Sequence, residues 1–126
     1  ARPAHRAAAG GHALAVQLLL AGRSDPEARD LEERTPLLVA VGAGHAEATR
    51  RLLASRVDVE CRDSHGCTPL HRATAADGPL LAQVLLDHRA DLHAALADGS
   101  EAVDLAFAMG HERLAELLVA AEAREG

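Results

Sequence analysis

The sequence predicts an all-α solenoid built from four stacked helix–turn–helix repeats. Four sets of landmarks carry that prediction. Thr35-Pro36-Leu37 recurs 33 residues later as Thr68-Pro69-Leu70. Gly11-His12, Gly44-His45 and Gly110-His111 keep the same register, as do Asp25, Asp58 and Asp91. So do the pairs Leu19-Leu20, Leu52-Leu53 and Leu85-Leu86, continued by Leu118-Val119. One matching tripeptide is weak evidence. Independent landmarks in one register along the whole chain establish a period typical of helical arrays.

Each landmark has a physical role. Pro36 and Pro69 suit the first helical position, where the missing N–H has no partner to lose, and Thr35 and Thr68 precede them as N-caps. Short inner helices follow over 36–43, 69–76 and 102–109. Ala40, Ala73 and Ala106 are small enough for close helix packing. Gly11, Gly44 and Gly110 end inner helices with a left-handed residue. Outer helices are expected over 13–21, 46–54, 79–87 and 112–120, with Leu and Val at helical spacing. Each pair is apolar on two sides, so only stacking closes a core.

These residues resemble the ankyrin repeat, whose pattern runs from a turn through Thr-Pro-Leu-His-x-Ala, a short helix, Gly-His and a second helix ending in Leu-Leu to Gly-Ala-Asp. Residues 68–73, Thr-Pro-Leu-His-Arg-Ala, carry the likeness best. It implies an ankyrin-repeat solenoid with a β-hairpin-like finger projecting from each helix pair. Residues 1–126 then form one domain, with repeats near 1–30 (lacking its finger), 31–63, 64–96 and 97–126, the last closing in a polar C-terminal cap. Departures are visible. Leu38 replaces the motif histidine, Glu33 replaces a turn glycine and is expected to distort the second finger, and Asp77-Gly78-Pro79 replaces Gly-His.

Composition narrows the function. The net charge is −6 and all basic residues are arginine, which disfavours non-specific nucleic-acid binding and an anionic membrane surface. The longest apolar run, Leu14 to Ala21, is too short to span a bilayer. Two cysteines suggest a reducing compartment, so a cytoplasmic or nuclear location is expected. Phe107 is the one aromatic residue, too few for a methyl-lysine cage.

No phosphate loop or nucleophile elbow appears, and no enzyme activity or cofactor is expected. Cys61, His65, Cys67 and His71 lie within eleven residues. They are read as non-metal, because His71 is the motif histidine and Cys61 takes a small-residue position.

The resemblance implies a protein partner in the concave groove, across finger tips and the exposed side of the inner helices. Position by position this selects Leu31, Glu32 and Arg34 on the second finger, and Ser64, His65 and Cys67 on the third. It adds Asp98 and Ser100 on the fourth, with Val39, Arg72, Leu105, Ala75 and Ala76 on the helices. Arg34, Arg62 and Arg72 form a locally basic wall suited to a carboxylate-bearing segment. Arg72 is expected to reach into the groove, Asp98 being its nearest carboxylate. The expected function is a protein–protein interaction module, monomeric in isolation, within a scaffold, adaptor or regulatory protein. The alternative is an intramolecular array covering a kinase, channel or ubiquitin-ligase element of its own chain.

Overall fold

The computed structural model describes residues 3–12, 14–16, 18, 27–55 and 57–125. Proline and a preceding hydroxyl set where the inner helices begin. Thr35 Oγ1 accepts the Leu38 N–H at 3.4 Å, and Thr68 Oγ1 accepts the His71 N–H at 3.3 Å. Seven helices are delimited among the described residues: α1 Pro3–Ala9, α2 Pro36–Gly42, α3 Ala46–Ala54, α4 Pro69–Ala75, α5 Pro79–Asp87, α6 Ala102–Met109 and α7 Glu112–Glu125. Residues 14–16 and 18 are helical too. The rest of the first outer helix expected over 13–21, with Leu19-Leu20 and Asp25, lies outside the described residues. The later boundaries fall within a residue of expectation except in α7, which continues past 120.

Inner helices α1, α2, α4 and α6 pack each on the next, and outer helices α3, α5 and α7 do the same alongside them. Leu37, Leu52, Leu85, Leu114 and Leu118 are fully buried in this continuous core, and Ala40, Ala73 and Ala106 sit at the close inner-helix contacts. Leu53 is buried as well, but Leu86 is only half-buried, so the second leucine of the pair is less enclosed than the first.

The fingers contain no strand among the described residues. Each is a tight turn closed by backbone bonds at 30–34, 63–67 and 96–100: Asp30 N–H to Arg34 O, Asp63 N–H to Cys67 O, and Leu96 N–H to Ser100 O. The expected distortion at Glu33 is absent. Glu33 adopts φ 61°, as Gly66 and Gly99 do at 78° and 87° in the equivalent places. The turn keeps its shape and Glu33 bears local backbone strain, because Cβ crowds the carbonyl in this region. Asp77 takes φ 54° and ends α4 as expected of a residue that tolerates a left-handed bend.

Repeat four is polar along α7, where Glu112, Arg113, Glu116 and Glu122 are exposed, yet its end face is not wholly capped. Phe107 is 65% exposed and Val119 is exposed beside it, whereas Val41 and Thr74, in register with Phe107, are fully covered by the next repeat.

Two substitutions test this account. Leu85→Ala removes a fully buried side chain and is expected to cost about 2–5 kcal/mol in chemical denaturation. Glu33→Gly relieves the left-handed strain and is expected to raise stability by about 0.5–1 kcal/mol, the unfolded-state flexibility of glycine taking back part of the gain.

Candidate partner-binding groove

Two carboxylates, Asp30 half-buried and Asp63 buried, build the second and third fingers from within. Asp30 Oδ1 accepts the backbone N–H groups of Glu32 and Arg34, both at 2.9 Å, and Asp63 Oδ1 accepts those of His65 at 2.9 Å and Cys67 at 3.1 Å. Their second oxygens hold arginines. Arg34 Nε donates to Asp30 Oδ2 at 2.9 Å, and Arg72 donates to Asp63 Oδ2 through Nε at 2.8 Å and also through Nη2. Burial alone would push both carboxyls up. The hydrogen bonds from arginine and backbone outweigh it and hold Asp30 and Asp63 below their ordinary values.

Arg72 therefore pairs with Asp63 rather than Asp98. Arg62 is no part of a basic wall either. Its Nη1 donates to the carbonyls of Gly66 and Ala95, both at 2.9 Å, tying the third finger to the next repeat. Arg29 repeats the arrangement one period earlier, on Glu33 O and Arg62 O. Sequence reasoning took Arg62 as a ligand contact and missed Arg29. Their spacing of 33 residues was the available signal.

Histidines latch the inner helices to the fingers ahead of them. His71 Nδ1 accepts from Thr68 N–H at 3.2 Å and lies 2.8 Å from Thr68 Oγ1, while Nε2 donates to Ser100 O at 3.4 Å. His5 Nε2 donates to Arg34 O at 2.7 Å in the same way. The position in register with Thr68 is Arg2, which has no hydroxyl, and His5 Nδ1 has no partner among the described residues. In repeat two Leu38 provides no latch, and Thr35 Oγ1 instead lies 3.2 Å from the buried Cys61 Sγ. Burial pushes the Cys61 thiol up to about 11, and raises that of Cys67 as well, so neither is an activated nucleophile.

The outcome is an open cleft of roughly 390 Å³ between the second and third fingers. It unites six of the expected contact residues, Glu32, Arg34, Val39, Ser64, His65 and Arg72. Ala9, Leu38, Gly42, Ala43 and Asp63 complete it. Val39 is nearly buried, so it forms floor with Leu38 rather than a protruding contact. The Ser64 N–H donates to Glu32 O at 3.1 Å and sets the spacing of the two fingers.

The other expected contacts lie off this cleft. Leu31 stands fully exposed at its finger tip, and Ala75 and Ala76 are exposed at the end of α4. Cys67 and Leu105 are half-buried. Asp98 is exposed and accepts the Ser100 N–H at 2.9 Å, which holds its carboxyl below the ordinary value, and Ser100 presents its carbonyl to His71.

The family model for ankyrin repeats (3 copies) matches residues 4–95. The chain belongs to the ankyrin repeat family. The match spans the first three helix pairs, and the fourth continues the same geometry in α6 and α7. Comparison with the curated proteins gave no match. Ankyrin repeats are generally protein–protein interaction modules and are typically non-catalytic. No helix among the described residues of this ankyrin array is long and apolar enough to cross a membrane.

Acid is expected to act on the scaffold in two windows. Burial holds His71 below 6.5, against the opposing pull of the Ser100 carbonyl. Its contribution is complete above 6.5 and is lost as pH falls further, since Nδ1 must then take a proton where Thr68 donates one. The contribution of Asp63 is complete above 3.8 and is lost as pH falls below that. Thermal unfolding at descending pH should show both declines. His71→Gln, which keeps an acceptor for the Thr68 N–H, should remove the first and leave the second.

Proposed function

We propose that the chain is an interaction module that holds a segment of another protein in the cleft between its second and third fingers. The supporting observation is that residues from three inner helices and two fingers line one open concavity with an apolar floor and a polar rim. The floor of Leu38, Val39, Gly42 and Ala43 is low and smooth, which suits an extended backbone carrying modest side chains. The rim is rigid before any partner arrives, because the finger turns are already fully bonded, and a preorganised site loses less entropy on binding.

We further propose that the segment carries an acidic residue. Arg34 is gripped through Nε, and Arg72 through Nε and Nη2, which leaves terminal nitrogens of both guanidinium groups to a ligand carboxylate. Asp30, Glu32 and Asp63 offset these charges, so the preference rests on contact geometry rather than on a long-range basic field.

Gly42 supplies the test. A Cβ there meets nothing within 4 Å, and its φ is not left-handed. Gly42→Leu is expected to fill the cleft and abolish capture of partners held by the wild-type array, with thermal stability unchanged or raised by about 0.5 kcal/mol. Arg34→Gln should weaken binding without abolishing it. Unaltered affinity in Gly42→Leu would place the contact surface elsewhere. Unaltered affinity in Arg34→Gln alone would remove only the acidic preference.

A further inference from the structure

We propose that repeat four carries a zinc site formed by Nδ1 of His93 and one carboxylate oxygen each from Glu101 and Glu122. The three side chains come from separate segments: the turn after α5, the residue preceding α6, and the late turns of α7. Their ligand atoms all lie within 4.8 Å of one another. His93 Nδ1 is 2.9 Å from Glu101 Oε1 and 4.0 Å from Glu122 Oε1. Tetrahedral zinc, bound at about 2.0–2.2 Å, sets its ligand atoms roughly 3.3–3.6 Å apart. The two separations straddle that value, and small side-chain rotations close the three atoms on one ion.

The repeat register supplies an independent argument. His93 stands where Glu27 and Glu60 stand in the preceding repeats. Those carboxylates accept the backbone N–H groups of Asp58, at 2.7 Å, and Asp91, at 2.5 Å, one repeat ahead. The N–H in register for His93 belongs to Arg124, which lies inside α7, whereas Asp58 and Asp91 lie outside any helix. Glu101 stands where Thr35 and Thr68 are buried caps. Glu101 keeps a capping role through a reciprocal box with Asp104, whose Oδ2 accepts the Glu101 N–H at 2.9 Å, yet it is only partly buried and its other carboxylate oxygen is free to turn toward His93. Glu122 lies on the stretch of α7 that has no equivalent in α3 or α5, which have 9 residues against its 14. Three departures from the repeat thus meet at one place, and each brings a metal-ligating side chain.

The donor set selects the ion. Calcium and magnesium favour all-oxygen shells, whereas imidazole with carboxylates suits zinc. The two glutamates neutralise a divalent charge. The side chains are 45%, 33% and 47% exposed, so water completes the coordination shell.

The competing arrangement is a protonated His93 ion-paired with the two carboxylates, which binds no metal. The untagged full chain, stripped with a chelator, is titrated with zinc chloride at neutral pH by calorimetry and by ¹H–¹⁵N correlation spectra. One zinc per chain is expected, with amide shifts centred on His93, Glu101 and the end of α7. His93→Ala and Glu122→Gln, both at exposed positions, should each weaken binding by at least about tenfold. His65→Ala, in the partner cleft, should leave zinc affinity unchanged. Absence of binding at millimolar zinc overturns the site, as does wild-type affinity in His93→Ala and Glu122→Gln. Neither result bears on the cleft.

Discussion

A helix pair of this length cannot enclose its own apolar side chains, and a neighbour one period away must do so. Leu52 and Leu85 are fully buried because successive layers repeat the same cross-section. Local pairing alone therefore builds the array, with each inner helix touching the next inner helix and α3, α5 and α7 touching in turn. The polar contacts obey the same period. Glu27 and Glu60 reach 31 residues ahead, Arg29 and Arg62 reach 33, and His5 and His71 reach 29. Hydrophobic stacking brings the layers together, and these bonds fix their register and satisfy backbone groups that the turns leave open.

The groove inherits its rigidity from that register. A finger is only a few residues long and has no core, so it is shaped by carboxylates folded into its turn and by arginines and histidines reaching from adjacent layers. The same charges that shape it also neutralise one another. Asp63 is almost wholly buried and binds Arg72 while organising two backbone N–H groups, so removing either member would disturb the finger as well as the rim.

Stacking also explains why unfavourable backbone conformations persist. Glu33 and Asp77 hold left-handed φ angles where other repeats use glycine, and Arg89 does so after α5. Each costs on the order of 1 kcal/mol locally. The chain retains the turn because the layers on either side dictate where it must go.

By itself the sequence determined the period, the helix starts at Pro36 and Pro69, the glycine and Asp77 helix ends, and the burial of Leu52 and Leu85. All of these depend on residues a turn apart or on an exact repetition, which a linear pattern displays. It also selected Glu32, Arg34, Ser64, His65 and Arg72 as neighbours, because equivalent positions in a stack must lie side by side. Only the tertiary structure decided what those side chains touch. Arg72 turns to Asp63 and not Asp98, Arg62 is consumed by the carbonyls of Gly66 and Ala95, and Val39 sinks into the floor. Glu122 comes beside His93 because α7 outruns its predecessors. A long side chain can reach several partners from one Cα, and which one it meets depends on turn geometry and helix length, neither of which periodicity encodes.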